Sequence, residues 1–206
     1  MPQSYYITDR RTSIKPILEQ IQIAIEAGVD YVQIREKDLS SRELFDLAVS
    51  ARILARKHAT QILINDRLDI ALAAGLNGIH LGQQAIAPSA VRAKVSEGNF
   101  LVGASTHSLE ELRRVHQEGV SYLTFGPVFF TPSKACYGPA VGMGKLREAC
   151  ECSKVPVFAL GGINRQNYSE CLKMGAAGIA GISLFQNDRE SVNGIVREIR
   201  SFPSIV

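Results

Sequence analysis

Short apolar runs rich in β-forming residues recur along this chain, and each is followed by a longer stretch whose apolar residues fall at helical spacing. The runs are YYIT, YVQI, ILI, GIHL, LVGAS, YLTF, VFAL and GIAGI. Between them lie helix candidates such as IKPILEQIQIAIEAG, SSRELFDLAVSARILARKH, SLEELRRVHQEG, GKLREACE and NRQNYSECLKMG, several of which open at Ser or Asn or close at Gly. Strands apolar on both faces need cover on both faces, which a parallel sheet wrapped in helices supplies. Eight such units in 206 residues predict an α/β fold: one domain over 1–206, a closed (β/α)8 TIM barrel. An open, doubly wound sheet is the alternative.

The remaining composition narrows the function classes. At 46% hydrophobic and 21% charged, the chain is an ordinary globular one, neither disordered nor a disulfide scaffold. Its net charge of +3 comes without any block of Lys or Arg, so neither a nucleic acid nor a membrane surface is the expected partner. Cys136, Cys150, Cys152 and Cys171 form no paired metal-binding motif and read as reduced thiols. The N-terminus is polar where a signal peptide is apolar, and no stretch reaches the roughly 18 apolar residues of a membrane span. The expected location is the cytoplasm.

In a (β/α)8 barrel the chemistry collects at the C-terminal ends of the strands. Those ends carry Thr8 and Asp9; Gln33, Arg35 and Lys37; Asn65 and Asp66; His80 and Gln83; Ser105 and His107; Thr131, Ser133 and Lys134; Gly161 and Gly162; and Ser183. Arg35 and Lys37 project the same way from one extended run, and with Lys134 they form a candidate oligophosphate clamp. The alternative is surface pairing with Glu36 or Asp38. Asp66 either caps the helix that follows it or ligates a hard cation such as Mg²⁺.

Gly161-Gly162 and GAAGIAGIS resemble the backbone phosphate sites that such barrels build after their last two strands, although barrel turns also need glycine for geometry alone. His80 and His107 end strands, where each can act in proton transfer or hydrogen-bond within the mouth. The segment GPVFFTPSKACYGPAVGMG is the only long irregular stretch, and the portion from Thr131 to Gly144 is expected to close over substrates. These readings together describe a barrel enzyme acting on phosphorylated small molecules.

The order of QIREK, INDR followed by DIA, GIHLGQ, GASTHS, FGPVFFTPSK, ALGGI and GAAGIAGIS resembles the thiamine-phosphate synthase family and its sister group, the thiazole tautomerases. The resemblance spans almost the whole chain. It implies a transferase of thiamine biosynthesis that joins hydroxymethylpyrimidine pyrophosphate to thiazole phosphate, releasing pyrophosphate through a dissociative, Mg²⁺-assisted step. It further implies that Gln33, Arg35 and Lys37 hold the pyrophosphate and pyrimidine, with Asn65 and Lys134 as further pyrophosphate contacts. Asp66 would bind Mg²⁺, and Ser105 would sit at the reacting centre. Thr131 and Ser133 would contact phosphate, and Gly162 with the Ile182-Ser183 backbone would hold the thiazole phosphate. A homodimer is the family-based expectation.

Two positions depart from the synthase pattern. Ala85 stands where synthases carry a second metal-binding Asp, and Ala180 where they commonly place Ser near the last phosphate site. The tautomerases share a histidine at the position of His107, which would be their acid-base catalyst, and they need no metal. That reading, and a barrel binding thiazole or thiamine phosphates without turnover, are the alternatives.

Overall fold

Every predicted apolar run forms a strand in the computed structural model, which describes residues 1–95, 98–131 and 139–203. The strands are β1 (Gln3–Ile7), β2 (Tyr31–Ile34), β3 (Gln61–Asn65), β4 (Gly78–Leu81), β5 (Leu101–Thr106), β6 (Tyr122–Phe125), β7 (Val157–Leu160) and β8 (Gly178–Gly181). All pair in parallel in sequence order, and β8 returns to β1 to close the barrel. Alternating with them are α1 (Ile17–Glu26), α2 (Ser41–Ala55), α3 (Leu68–Ala73), α4 (Pro88–Arg92), α5 (Leu109–His116), α6 (Gly142–Cys152), α7 (Tyr168–Lys173) and α8 (Arg189–Ser201). The open doubly wound alternative is thereby excluded.

Helix boundaries follow local chemistry. α1 begins at Ile17, later than the pattern predicts, because Pro16 has no N–H to contribute and occupies the N-cap. α2 starts at a capping box, the Ser40 hydroxyl accepting from Glu43 N while the Glu43 carboxylate accepts from Ser40 N. α7 begins only at Tyr168, because the Asn164 and Asn167 side chains close a turn over the backbone amides of Gln166 and Asn164.

Period-2 alternation divides each strand between two cores. Val32, Ile34, Ile62, Ile64, Leu123 and Phe125 pack outward beneath the helices. Tyr5, Ile7, Leu63, Tyr122, Phe158 and Ala180 fill the barrel itself. Tyr31 and Tyr122 stack across the interior with centroids 6.0 Å apart. Glycine makes the room: a Cβ on Gly103 would lie 2.0 Å from Tyr122 Cζ. Burying each such side chain contributes about 1.5–3 kcal/mol, so this layer is a large part of what holds the barrel shut.

Gln33, His80 and Thr124 are the buried polar exceptions within the barrel. Among the described residues, no buried side-chain nitrogen or oxygen lacks a hydrogen-bond partner. Cys150, Cys152 and Cys171 are free thiols, and burial pushes Cys150 and Cys171 up to about 12; Cys136 lies outside the described residues. Among the described residues, no helix is long and apolar enough to cross a membrane.

Candidate active site

The mouth is built first by β1 and β2. Thr8, fully buried just past β1, accepts the Arg35 amide through its hydroxyl at 2.9 Å and so fixes the start of the β2 loop. The Arg10 amide donates to both carboxylate oxygens of Glu36 (3.0 and 3.2 Å), and the Arg10 guanidinium pairs with Asp38 at 2.8 Å. Burial raises the Glu36 carboxyl above its ordinary value, against hydrogen bonds from Thr8 and the Arg10 amide that lower it.

The surface-pairing alternative for Arg35 and Lys37 therefore fails, because Arg10 takes both acids. Among the described residues neither Arg35 nor Lys37 has an ion-pair partner within 4.0 Å, although Arg35 is half-buried. Two uncompensated cations at one strand end form a ready site for an anion.

Asp66 is not a helix cap. The N-cap of α3 is Arg67, with no side-chain cap, and Asp66 instead adopts φ +58°. A non-glycine residue held in the left-handed region stores strain of order 1–3 kcal/mol, which the surroundings must offset. Here its carboxylate accepts from Asn65 Nδ2 at 2.7 Å and from the Gly82 amide at 2.8 Å, which aims it over the ends of β3 and β4. Asn65 Oδ1 in turn accepts from Gln33 Nε2 at 3.1 Å.

For a divalent cation the donor set is thin but adequate. Among the described residues no three His, Cys, Asp or Glu gather around a common point, so a cation held by Asp66 would draw on ligand oxygens to complete its shell. Ala85 offers only a methyl, in a cavity of about 310 Å³ whose lining includes Gln83, Ser105 and Glu111.

At β4 and β5, His80 is buried between two hydroxyls, with Nδ1 3.1 Å from Tyr122 Oη and Nε2 2.9 Å from Ser105 Oγ. The other strand-end histidine is held differently. His107 Nδ1 lies 3.2 Å from Glu111, whose other oxygen accepts from Gln83 Nε2 at 2.8 Å. Tyr5, Tyr122 and Glu111 were not singled out from sequence. The tyrosines read as apolar strand residues, while the four-residue spacing from His107 to Glu111 was the available signal for the acid.

Opposite these groups lie the turns after β7 and β8. Gly162, at φ +66°, packs so closely on the segment after β6 that an added Cβ would lie 2.7 Å from Phe129 Cβ and Phe130 O. Among the described residues no group accepts from the Gly162 or Ser183 amides, which leaves both N–H groups for an anion. Ile182 packs against the interior cluster, and Ser183 lines a cavity of about 250 Å³ with Ile163, Asn164 and Leu184. Ala180, expected near phosphate, is fully buried beside Tyr5 and Phe158, because its register turns it into the barrel. Thr131 is half-buried at the rim, whereas Ser133 and Lys134 lie outside the described residues, as does half of the loop expected to close.

Comparison with known proteins agrees with this architecture. A family model described as thiamine monophosphate synthase matches residues 4–185. A relative from Aquifex aeolicus, provisionally named thiamine-phosphate synthase 2, is 44% identical over 185 residues, covering 90% of this chain and 98% of its own. The thiamine-phosphate synthase of Caldanaerobacter subterraneus subsp. tengcongensis is 39% identical over 201 residues, covering 95% and 92%. Among solved structures, thiamine phosphate pyrophosphorylase from Pyrococcus furiosus superimposes with a TM-score of 0.84 at 34% identity, covering 96% of each chain.

Proposed function

Because the chain belongs to the thiamine monophosphate synthase family, we propose that it couples hydroxymethylpyrimidine pyrophosphate to thiazole phosphate, forming thiamine phosphate and pyrophosphate. The observation that carries this reading is the pair of cations, Arg35 and Lys37, which have no ion-pair partner among the described residues, at the strand ends that also carry Asp66 and across the mouth from the Gly162 and Ser183 amides, which have no acceptor among those residues. One charged end thus suits an oligophosphate and the other a monophosphate.

In the proposed reaction the methylene C–O bond breaks first, and its electron pair leaves with pyrophosphate. The resulting pyrimidinylmethyl cation is captured by the thiazole nitrogen lone pair, giving the thiazolium product. Negative charge grows on the leaving group as that bond breaks, so Arg35 and Lys37, joined by Lys134 from outside the described residues, lower the barrier where charge develops. Asn65 and Gln33 position the pyrophosphate and pyrimidine, Ser105 meets the pyrimidine ring, and Thr131 and Ser133 contact phosphate. When bound, Mg²⁺ supplies further charge neutralisation there, with Asp66 as its protein ligand. The amides of Gly162 and Ser183 hold the thiazole phosphate so that its nitrogen faces the reacting carbon. We read the protein as a cytoplasmic enzyme, working as a homodimer.

The second reading, a thiazole tautomerase, is favoured by one contact: Glu111 orients His107 through Nδ1, as a general acid-base requires. The test is a coupling assay with both substrates and a Mg²⁺ titration, reading thiamine phosphate as fluorescent thiochrome. Mg²⁺-dependent product supports the synthase. Absence of product with thiazole phosphate still bound transfers the assignment to His107.

A further inference from the structure

A single thread of hydrogen bonds runs through the barrel interior from Asp66 to Ser105. Its links are Asp66 to Asn65, Asn65 to Gln33, Gln33 to Tyr5 (3.2 Å), Tyr5 to Tyr122 (2.8 Å), Tyr122 to His80 and His80 to Ser105. It crosses from β3 to β2, β1, β6 and β4 before ending on β5.

The direction of every link follows from its first member. The Asp66 oxygen accepts from Asn65 Nδ2, so Asn65 presents Oδ1 to Gln33. Gln33 then presents Nε2 to Asn65 and Oε1 to Tyr5. The Tyr5 proton is spent on Gln33, so the phenol of Tyr122 donates to Tyr5. Burial raises both phenols, so each keeps its one proton for this purpose. With the Tyr122 proton spent, His80 must donate from Nδ1, and a neutral imidazole then has only a lone pair at Nε2. Ser105 donates to that lone pair, while the Thr124 hydroxyl, at 3.5 Å, lies on its accepting side.

We propose that this relay makes Ser105 a hydrogen-bond acceptor toward the bound ligand, with His80 and Tyr122 as its positioning residues, so that the site selects a ring bearing an N–H donor. The inference rests on the synthase reading for the identity of that ring, an aminopyrimidine, and goes beyond it in assigning the polarity of the contact. A ring amine that donates to Ser105 keeps its electrons available to the ring, which favours the cation. A hydroxyl pointing its proton at the ring would oppose it.

Two measurements test the proposal. Histidine ¹⁵N NMR of the unliganded full-length protein, with His80 assigned by the resonances lost in His80→Asn, should show a protonated Nδ1 and a bare Nε2. The opposite tautomer, or an imidazolium, overturns the proposal whatever the enzyme catalyses. The second compares the pyrimidine pyrophosphate with its analogue carrying oxo in place of amino. Tyr122→Phe should reduce the preference in kcat/KM for the amino compound by about tenfold, the worth of one lost directional hydrogen bond, while the KM for thiazole phosphate stays constant. An equal loss toward both pyrimidines would mean that Tyr122 only supports the fold, and would overturn its positioning role. If the parent protein makes no thiamine phosphate, the synthase reading falls while the tautomer result still decides the relay.

Discussion

The carboxylate of Asp66 accepts the Gly82 amide at 2.8 Å, joining the end of β3 to the end of β4 across a backbone held at φ +58°. That contact explains why an acidic residue occupies a conformation that glycine adopts more easily. The strain is retained where it aims a charged oxygen at the mouth. Asp66→Gly should therefore leave the fold as stable as the parent or more so, within about 1 kcal/mol, while thiamine phosphate formation is lost. Thermal unfolding and the coupling assay measure the two effects separately. Unchanged turnover in Asp66→Asn would remove the metal role.

If Asp66 holds the divalent ion as proposed, Ala85 adds no second carboxylate to it. Ala85→Asp should lower the Mg²⁺ concentration for half-maximal rate, because a second anionic ligand strengthens a hard-cation site. A titration with the same midpoint in both proteins would count against this placement of the metal.

The two leading readings use different residues. Lys37→Ala should lower coupling by about a hundredfold, since in the proposed reaction it removes one of the charges facing the leaving group, and His107→Ala should lower it less. Steady-state kinetics of both variants, with thiazole isomerisation assayed in parallel, would reverse that ranking if the enzyme were a tautomerase.

Burial raises Glu36 above 4.5, so the folded protein holds its proton to higher pH than the unfolded chain does. The unfolded state then binds fewer protons within that window, and stability falls as pH rises from about 4.5 through the folded value. Glu36→Gln, which still accepts the Arg10 amide, should flatten this part of the profile. Denaturant midpoints at several pH values would reveal it, and an identical slope in both proteins would refute it.

Gly103→Ala should be strongly destabilising, because its methyl would lie 2.2 Å from Tyr122 Oη. Overpacking of this kind costs about 1–3 kcal/mol, and here it also pushes on the stacked tyrosines. A melting temperature unchanged from the parent would show that the interior layer can yield.

The sequence by itself determined the alternation of elements, and with it the barrel. A parallel strand covered on both faces has to be apolar throughout, and helical spacing between such strands is visible without coordinates. It also placed Arg35, Lys37, Asn65, Asp66, Gly162 and Ser183 at strand ends, because the end of an apolar run is a local signal. Closure of the barrel decided what those residues meet. Whether Arg35 pairs with Glu36 depended on Arg10, 25 positions earlier in the chain, reaching that acid first. That Ala180 faces Tyr5 while the Ser183 amide stays open depended on the β8 to β1 register, and the relay from Asp66 to Ser105 needed five crossings between strands. Local patterns carry which face a side chain takes. Only the packed barrel sets which partner, from which strand and at what height, shares that face.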